Sequence, residues 1–329
     1  MVTGGAGYIG SHACKALSRS GYLPVTYDNL VFGHEWAVKW GPLERGDIAD
    51  RARLEDVLAC HRPNAIMHFA AFAHVGESVN DPGKYYRNNL VGSLTLLEAA
   101  RDQAIGRIVF SSTCATYGIP DRIPIDEGVT QDPINPYGAS KLMVERVLAD
   151  FDVAHGLRSI ALRYFNASGA DPDGEIGEAH DPETHLIPLV LDAASGRRPD
   201  VTIFGTDYDT PDGTCIRDYI HVSDLADAHV KALEALEAGA ASDVFNLGNG
   251  HGFSVHEVIE TVERVLDVKV PVRPGERRPG DPARLVSDAR KARERLGWEP
   301  QFAGIDTIVQ TSWAWHQKGL WRDPPGGID

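Results

Sequence analysis

The stretch Thr3-Gly-Gly-Ala-Gly-Tyr-Ile-Gly10 decides the fold. It contains Gly5-x-Gly7-x-x-Gly10 and equally Gly4-x-x-Gly7-x-x-Gly10, just ahead of an amphipathic segment, Ser11–Ser20. Glycines at this spacing allow a tight turn, let the backbone approach a pyrophosphate, and let helix and strand pack closely. The helix that follows offers free N–H groups and the positive end of its dipole to phosphates. A Gly-rich turn alone carries little. Here, however, the next apolar run, Val25-Thr-Tyr-Asp28, ends in a carboxylate eighteen residues beyond Gly10. A carboxylate in that place accepts from a ribose hydroxyl and repels a 2′-phosphate, so the pattern favours NAD over NADP.

The alternation continues outward. Ala65–Phe69, Arg107–Ser111 and Ser159–Arg163 read as buried strands, and Arg51–Cys60, Pro82–Gln103 and Pro136–His155 as helices. Short, continuously apolar strands between helices predict an α/β, Rossmann-type doubly wound parallel sheet covered on both faces. After Asn166 the chain turns rich in Gly, Asp, Pro and Glu, which predicts an NAD-binding domain over 1–168. A smaller mixed α/β unit, mainly substrate-binding, is expected over 169–329, ending in a Pro/Gly tail at Pro324–Asp329. Within it, a helix at Ser223–Glu237 with a Ser N-cap and a strand at Val244–Leu247 repeat the earlier pattern. The segment 223–248 is therefore expected to rejoin the first sheet. Further strands are expected at Val201–Phe204, Asp218–His221 and Val270–Arg273.

Only Met1, Val2 and Thr3 precede the glycine loop, against about five or six residues for an ordinary strand. The expectation is a native start upstream of Met1, testable by intact mass of the natural product.

The 329 residues carry 32 Lys+Arg against 47 Asp+Glu, a net charge of −15. That balance excludes a nucleic-acid or anionic-membrane surface, which needs clustered Lys and Arg. With 43% hydrophobic and 24% charged residues the composition is that of a globular chain. Cys14, Cys60, Cys114 and Cys215 form no C-x-x-C pair, so neither a disulfide framework nor a structural zinc site is expected, and no metal. No apolar run approaches the ~18 residues of a membrane helix. The early glycine loop leaves no room for a signal peptide, and the reading is a cytoplasmic protein.

Tyr137-Gly-Ala-Ser-Lys141 begins just after Pro136, a helix-starting residue. The i,i+4 spacing puts phenol and ammonium on one helix face. With a free pKa of about 10, only about one tyrosine in a thousand is phenolate at neutral pH. A fixed cation nearby is expected to lower that pKa and make the phenolate a usable base. Ser111, Ser112 and Thr113 close a buried strand at the end of the sheet where ligands bind in such folds. From there Thr113 can share a hydrogen bond with Tyr137 and a substrate hydroxyl.

With these residues in place, the sequence resembles the extended short-chain dehydrogenase/reductase family, and within it the UDP-glucose 4-epimerase (UDP-galactose 4-epimerase) branch. Besides the glycine loop and Tyr137-x-x-x-Lys141, the resemblance rests on Gly76-Glu-Ser-Val79, Leu162-Arg-Tyr-Phe-Asn166 and Phe204-Gly-Thr-Asp-Tyr208. It rests further on Asp212-Gly-Thr-Cys-Ile-Arg-Asp-Tyr-Ile-His-Val222 and Arg277-Arg-Pro-Gly-Asp281. It implies an isomerase that inverts C4 of a UDP-hexose through a 4-keto sugar, using tightly held NAD. In that mechanism Tyr137 moves the 4-hydroxyl proton, Lys141 tunes it and orients the nicotinamide ribose, and Thr113 assists.

The resemblance places the cofactor against Gly4, Gly7, Tyr8, Ile9, Gly10, Asp28, Asn29, Asp47, Ile48, Phe69, Ala70, Asn88, Ser111, Tyr137, Lys141 and Tyr164. It places the UDP-sugar against Thr113, Tyr137, Asn166, His185, Leu186, Thr202, Phe204, Arg217, Tyr219, Arg278, Asp281 and Leu285. Arg217 and Arg278 suit a diphosphate, because guanidinium forks bind it bidentately. Ala73 replaces a Lys of some relatives, so that pyrophosphate contact is absent. His185 stands where some relatives have Asn; it and His180 read equally well as loop residues. Leu285 stands where a bulky Tyr limits the sugar pocket and a small residue admits an N-acetyl group. The expectation is a preference for unacetylated sugars, with N-acetylhexosamines and pentoses left open. Relatives also pair as homodimers through the helix of Leu90, Leu94 and Leu97 and the one after Tyr137.

Other readings remain at this point. A dehydratase would carry Asp-Glu beside Thr113, where this chain has Cys114-Ala115. A non-catalytic NAD-binding protein predicts loss of Tyr137 or Lys141. Net dehydrogenation predicts release of reduced cofactor.

Overall fold

The computed structural model describes residues 1–278 and 281–319; the tail at 324–329 lies outside them. Strands β1–β13 and helices α1–α11 are numbered along the described chain. The larger sheet contains β1 (Val2–Thr3), β2 (Thr26–Asp28), β3 (Leu43–Arg45), β4 (Ile66–His68), β5 (Arg107–Ser111), β6 (Arg158–Tyr164) and β10 (Asp243–Leu247). Their order is β10-β6-β5-β4-β1-β2-β3, and every neighbouring pair is parallel. This is the doubly wound arrangement, with β1 central between β2 and β4.

Successive strand residues point to opposite faces, and both faces are apolar. Met67 and Val109 face the side covered by α1 (Tyr8–Arg19) and α8 (Val222–Glu237), where they meet Ala13, Leu17, Leu225 and Leu233. Ile66, Ile108 and Phe110 face the other side. There α2 (Arg51–His61), α5 (Ser93–Asp102) and α6 (Pro136–His155) bring Leu54, Leu58, Leu96, Leu97, Val144 and Leu148. Sandwiching each strand between two apolar layers is what the continuous Val/Ile runs encode.

The expected helix over 82–103 is interrupted. α3 (Val75–Asn80) and α4 (Pro82–Tyr85) lead into a π-helical stretch, Tyr86–Gly92, before α5. The extra residue per turn is accommodated where Gly92 faces Ile48: a Cβ on Gly92 would lie 2.9 Å from the Ile48 side chain. π-turns of this kind recur at functional sites.

The rest of the chain forms smaller sheets. β7 (Asn166–Ser168) pairs with β9 (Ile216–His221), which also pairs with β11 (Gly252–Ser254) and β13 (Arg284–Leu285), and β8 (Val201–Phe204) pairs with β12 (Val272–Gly275). α7 (Leu186–Ala194), α9 (Val255–Leu266) and α11 (Ile305–Lys318) pack over them around Ile187, Val190, Val258, Val262 and Ile308. α10 (Arg290–Leu296) packs back onto α8 and β10 of the larger sheet.

Two local expectations are corrected. The cap of α8 is His221, whose Nδ1 accepts from the Ser223 N–H at 3.1 Å, and not a serine. The strand expected at 270–273 begins instead at Val272, after Val270 has turned inward to the core beside α9. Among the described residues no helix is long and apolar enough to cross a membrane.

Candidate active site

Parallel strands deliver their carboxyl ends to one edge, and there the expected residues of the first half gather. At the end of β1, Gly4 has φ +72°, and a Cβ there would lie 2.6 Å from the Ala70 nitrogen. A Cβ on Gly10 would lie 2.1 Å from the Gly4 carbonyl oxygen, so this turn closes only over glycine. Gly7 caps α1 without a side-chain hydrogen bond, which leaves first-turn N–H groups facing outward. Asp28, at the end of β2, accepts from Ala6 N at 3.0 Å and Leu30 N at 2.8 Å. Each of its oxygens keeps a lone pair, and burial pushes its carboxyl upward. Asn29 donates to Asp47 at 2.8 Å, holding the ends of β2 and β3 together beside the buried Ile48. Tyr8 anchors the loop from the other side, its hydroxyl donating to the Gly169 carbonyl at 2.6 Å.

This cradle fits a dinucleotide. Bare backbone is available for a pyrophosphate, and a carboxylate with spare lone pairs stands where ribose hydroxyls would lie.

The second group lies at the end of β5. Asn135 caps α6 by accepting from Gly138 N at 2.8 Å, and Pro136 takes the first turn. Tyr137 and Lys141 therefore sit on the first turns of that helix, both buried. Lys141 Nζ donates to the Ser111 carbonyl at 2.8 Å and lies 4.9 Å from the Phe110 ring centre. The Ser111 hydroxyl meets the Tyr164 hydroxyl at 2.6 Å. Phe69 packs at a tilt against His229, and Tyr164 meets the same ring edge-on. Asn88, on the π-turn, donates to Asn89 at 2.9 Å.

One expectation is corrected here. The Lys141 ammonium does not pair with the Tyr137 phenol in the resting chain. Burial drives Tyr137 well above the ordinary range and Tyr164 adds to it, with the neighbouring Thr113 hydroxyl acting in the opposite direction. Burial also lowers Lys141 to about 7, opposed by Glu145. Desolvation disfavours a charge on either group alone.

Beneath the pair lies a network that sequence reading missed. Glu145, one turn beyond Lys141, receives Arg163 through Nε at 2.9 Å and through Nη2, and also Ser112 Oγ. Arg163 Nη1 donates to the Tyr117 hydroxyl at 2.8 Å, which donates to Asn246 at 2.7 Å. Asn89 was also missed. Its amide ties Phe72 N, Phe72 O and Ser140 together at 2.9, 3.0 and 3.1 Å. The available signals were Glu145 at i,i+4 from Lys141 and the doubled Asn88-Asn89.

Replacing Arg163 by Leu leaves Glu145 charged and buried without its guanidinium. The expected cost is about 3–5 kcal/mol of folding stability, read as a lower urea midpoint. A midpoint within error of the parent chain would refute this role for the pair.

The remaining expected residues line the smaller sheets. β13 runs beside β9 with Leu285 opposite Arg217, and β7 sets Asn166 opposite Tyr219. Arg217, buried, donates to Asp281 and to the Ile216 carbonyl, so part of its fork is already engaged. The Arg278 guanidinium lies 4.1 Å from the Phe204 ring centre, and Thr202 follows on the same strand, β8. Leu285 and Cys114 each pack against the cluster of Tyr117, Ile125, Val129 and Phe165, which joins this wall to the Thr113 end of β5. Leu186 opens α7. His185 caps the same helix, its Nδ1 lying 2.5 Å from Glu178.

The comparisons with known proteins agree with this geometry. Residues 1–248 match the NAD dependent epimerase/dehydratase family. The UDP-glucose 4-epimerase of Rhizobium meliloti (strain 1021) is 56% identical over 318 residues, 97% of either chain. The structure is similar to that of UDP-glucose 4-epimerase from Brucella ovis in complex with NAD, with TM-score 0.93 and 54% identity over 95% of this chain and 96% of that one. It is also similar to the Bifidobacterium longum UDP-glucose 4-epimerase in complex with NAD+ and UDP, with TM-score 0.91, 38% identity and 99% of each chain covered. Cradle, buried Tyr-x-x-x-Lys pair and near full-length similarity converge: the chain belongs to the NAD dependent epimerase/dehydratase family, in its UDP-glucose 4-epimerase branch.

Proposed function

We infer that this chain interconverts UDP-glucose and UDP-galactose by inverting C4 of the hexose, with NAD as its resident cofactor. The observation that carries the reading is convergence. The glycine cradle, Tyr137, Thr113 and the Lys141–Ser111–Tyr164 chain of contacts all lie at the carboxyl ends of β1 and β5 or directly against them.

Gly4, Gly7 and Gly10 admit the NAD pyrophosphate, Asp28 and Asn29 hold the adenosine ribose, and Lys141 and Tyr164 hold the nicotinamide end. NAD, when bound, takes up two electrons at C4 of the sugar and returns them, so the reaction needs no external oxidant. Tyr137 carries the proton. As the phenolate it accepts it from the 4-hydroxyl beside Thr113, keeps it while the sugar turns, and returns it to the same C4 oxygen once the sugar presents its other face. Burial makes the Tyr137 oxygen a strong proton acceptor, as the first half of that cycle requires. Arg217 and Arg278 clamp the diphosphate, and Asp281, paired with Arg217, lies beside the substrate. Asn166, Tyr219, Thr202 and Phe204 hold the UDP portion, and Leu186 stands beside them.

Incubation of the purified chain with UDP-sugars, read by NMR at C4, tests the reading. Approach to a UDP-glucose/UDP-galactose mixture without accumulation of reduced nicotinamide is expected. Unchanged sugar, or net release of NADH, would remove it.

Leu285 sets the breadth. It packs against the cluster that holds Phe165, filling its end of the wall with a flexible aliphatic chain where a phenol would be rigid. UDP-glucose is expected to turn over clearly faster than UDP-N-acetylglucosamine, and Leu285→Tyr to abolish the remaining N-acetyl activity. Equal turnover of both sugars by the parent chain would contradict this. We also propose a homodimer through α5 and α6, whose Leu94 and Met143, with Val91 on the π-turn, are exposed apolar residues. The unpaired cysteines support a reducing compartment, the cytoplasm.

A further inference from the structure

Within one eight-residue segment, Glu178, His180, Glu183 and His185 bring four ligating groups together, with one ligand atom of each within 4.8 Å of the others. Both imidazoles present Nδ1 to the same carboxylate oxygen: Glu178 Oε1 lies 2.9 Å from His180 and 2.5 Å from His185. Glu183 closes the group, with Oε1 3.4 Å from His185 Nδ1 and Oε2 4.0 Å from His180 Nδ1.

We propose that this cluster is a divalent-metal site of the zinc class, separate from the chemistry at Tyr137. Coordination would displace the imidazole protons, and the two carboxylates with two neutral imidazoles would then carry a charge of −2, which a divalent cation cancels. Imidazole nitrogen with carboxylate oxygen is a donor set that suits Zn2+ and does not suit Mg2+ or Ca2+, which take oxygen. Ligands about 2.0–2.2 Å from a tetrahedral zinc are spaced roughly 3.4 Å apart. The cluster straddles that spacing: the two short contacts to Glu178 open and the 4.0 Å contact closes by fractions of an ångström, while the 3.4 Å contact already matches it.

The segment is held from outside in the way metal loops are. Trp315 Nε1 donates to the Glu178 carbonyl at 2.8 Å, and His34 Nε2 lies 2.7 Å from the Ala179 carbonyl. Glu183 Oε1 accepts the backbone N–H groups of Thr184 and His185 at 2.7 and 2.8 Å, which fixes its carboxylate. Glu178 is nearly buried while the His185 side chain is 47% exposed, so the open side of the cluster is the route for a cation. His180 also packs edge-on against Tyr8. A metal here would clasp the start of α7 to the segment at 178–183, whose His180 packs on the start of α1, a structural role.

The test uses the untagged full chain, stripped with chelator and dialysed against Zn2+, with bound metal counted. One equivalent per chain is expected, and Co2+ in its place should give the intense visible bands of tetrahedral coordination. His180→Ala and Glu178→Gln should each weaken binding by roughly tenfold or more, whereas His251→Ala, outside the cluster, should not. No stoichiometric Zn2+ on the parent chain overturns the proposal, as does Co2+ bound only octahedrally. Undiminished affinity in a folded His180→Ala chain also overturns it. If either cluster variant fails to fold, the Co2+ spectrum of the parent chain decides. None of these readouts depends on sugar turnover, so the site and the epimerase reading fail or stand independently.

Discussion

Tyr137→Phe is expected to lose between about 10²- and 10⁴-fold in kcat while KM for UDP-glucose stays within a few-fold, the range that loss of a positioned proton carrier produces. Phe keeps the ring that packs at the start of α6 and removes only the oxygen, so circular dichroism and thermal midpoint should match the parent. The loss should appear in both directions of the reaction, because one group serves as base and as acid. NAD should still be retained, since the cradle at Gly4–Gly10 does not touch the phenol. A variant with sugar interconversion near the parental rate would assign the proton to another group and remove the mechanism.

Acidification from pH 7.5 to pH 5 should lower folding stability steeply. His68 and His221 are held down to about 3, and His12 and His229 to about 4, in each case by burial. Their geometry agrees. Nε2 of His12 and of His229 is buried with no partner among the described residues, so a second N–H there would find no acceptor. His68 bridges two hydroxyls, Thr3 and Ser93, both at 2.7 Å.

A histidine whose folded pKa lies below the unfolded value binds its proton more readily when unfolded. Its contribution is therefore complete above about 6.5 and disappears as pH falls toward the folded value. Between pH 6.5 and 5 that amounts to about 2 kcal/mol for each such histidine. Burial shifts Asp28, Asp218 and Asp224 upward, which opposes the trend in the lower part of the window. Urea midpoints at the two pH values measure the net effect, and His229→Leu should flatten the slope by one proton. Equal midpoints would mean that these imidazoles are not confined as neutral groups.

The larger sheet was legible because its strands are covered on both faces. Runs such as Arg107–Ser111 coincide with β5, and Pro136–His155 with α6, since unbroken apolarity and an Asn-Pro start have few other outcomes. The smaller sheets were less so. β7, β11 and β13 have two or three residues each, too short for any periodicity to register. The π-turn was hidden for a different reason: a helix gaining one residue keeps its composition, and only the Gly92–Ile48 approach distinguishes it. Within the site, glycine spacing and Tyr-x-x-x-Lys could be read because backbone geometry and helix periodicity are local. The Glu145–Arg163–Tyr117–Asn246 network could not, as its members lie far apart in sequence and each is an ordinary polar residue alone.

That network reaches across the molecule. Asn246 stands on β10, which comes from the second half of the chain, lies at the edge of the sheet beside β6, and receives the Tyr117 hydroxyl. Its own amide donates to the Ile125 carbonyl at 2.8 Å, and its backbone N–H to Glu127 at 2.7 Å. Cutting the chain after residue 168 would strip the flank of β6 and leave Tyr117 and Arg163 facing water. The dinucleotide half is thus no detachable cassette: grafting it onto a foreign partner would require carrying its distant edge strand along.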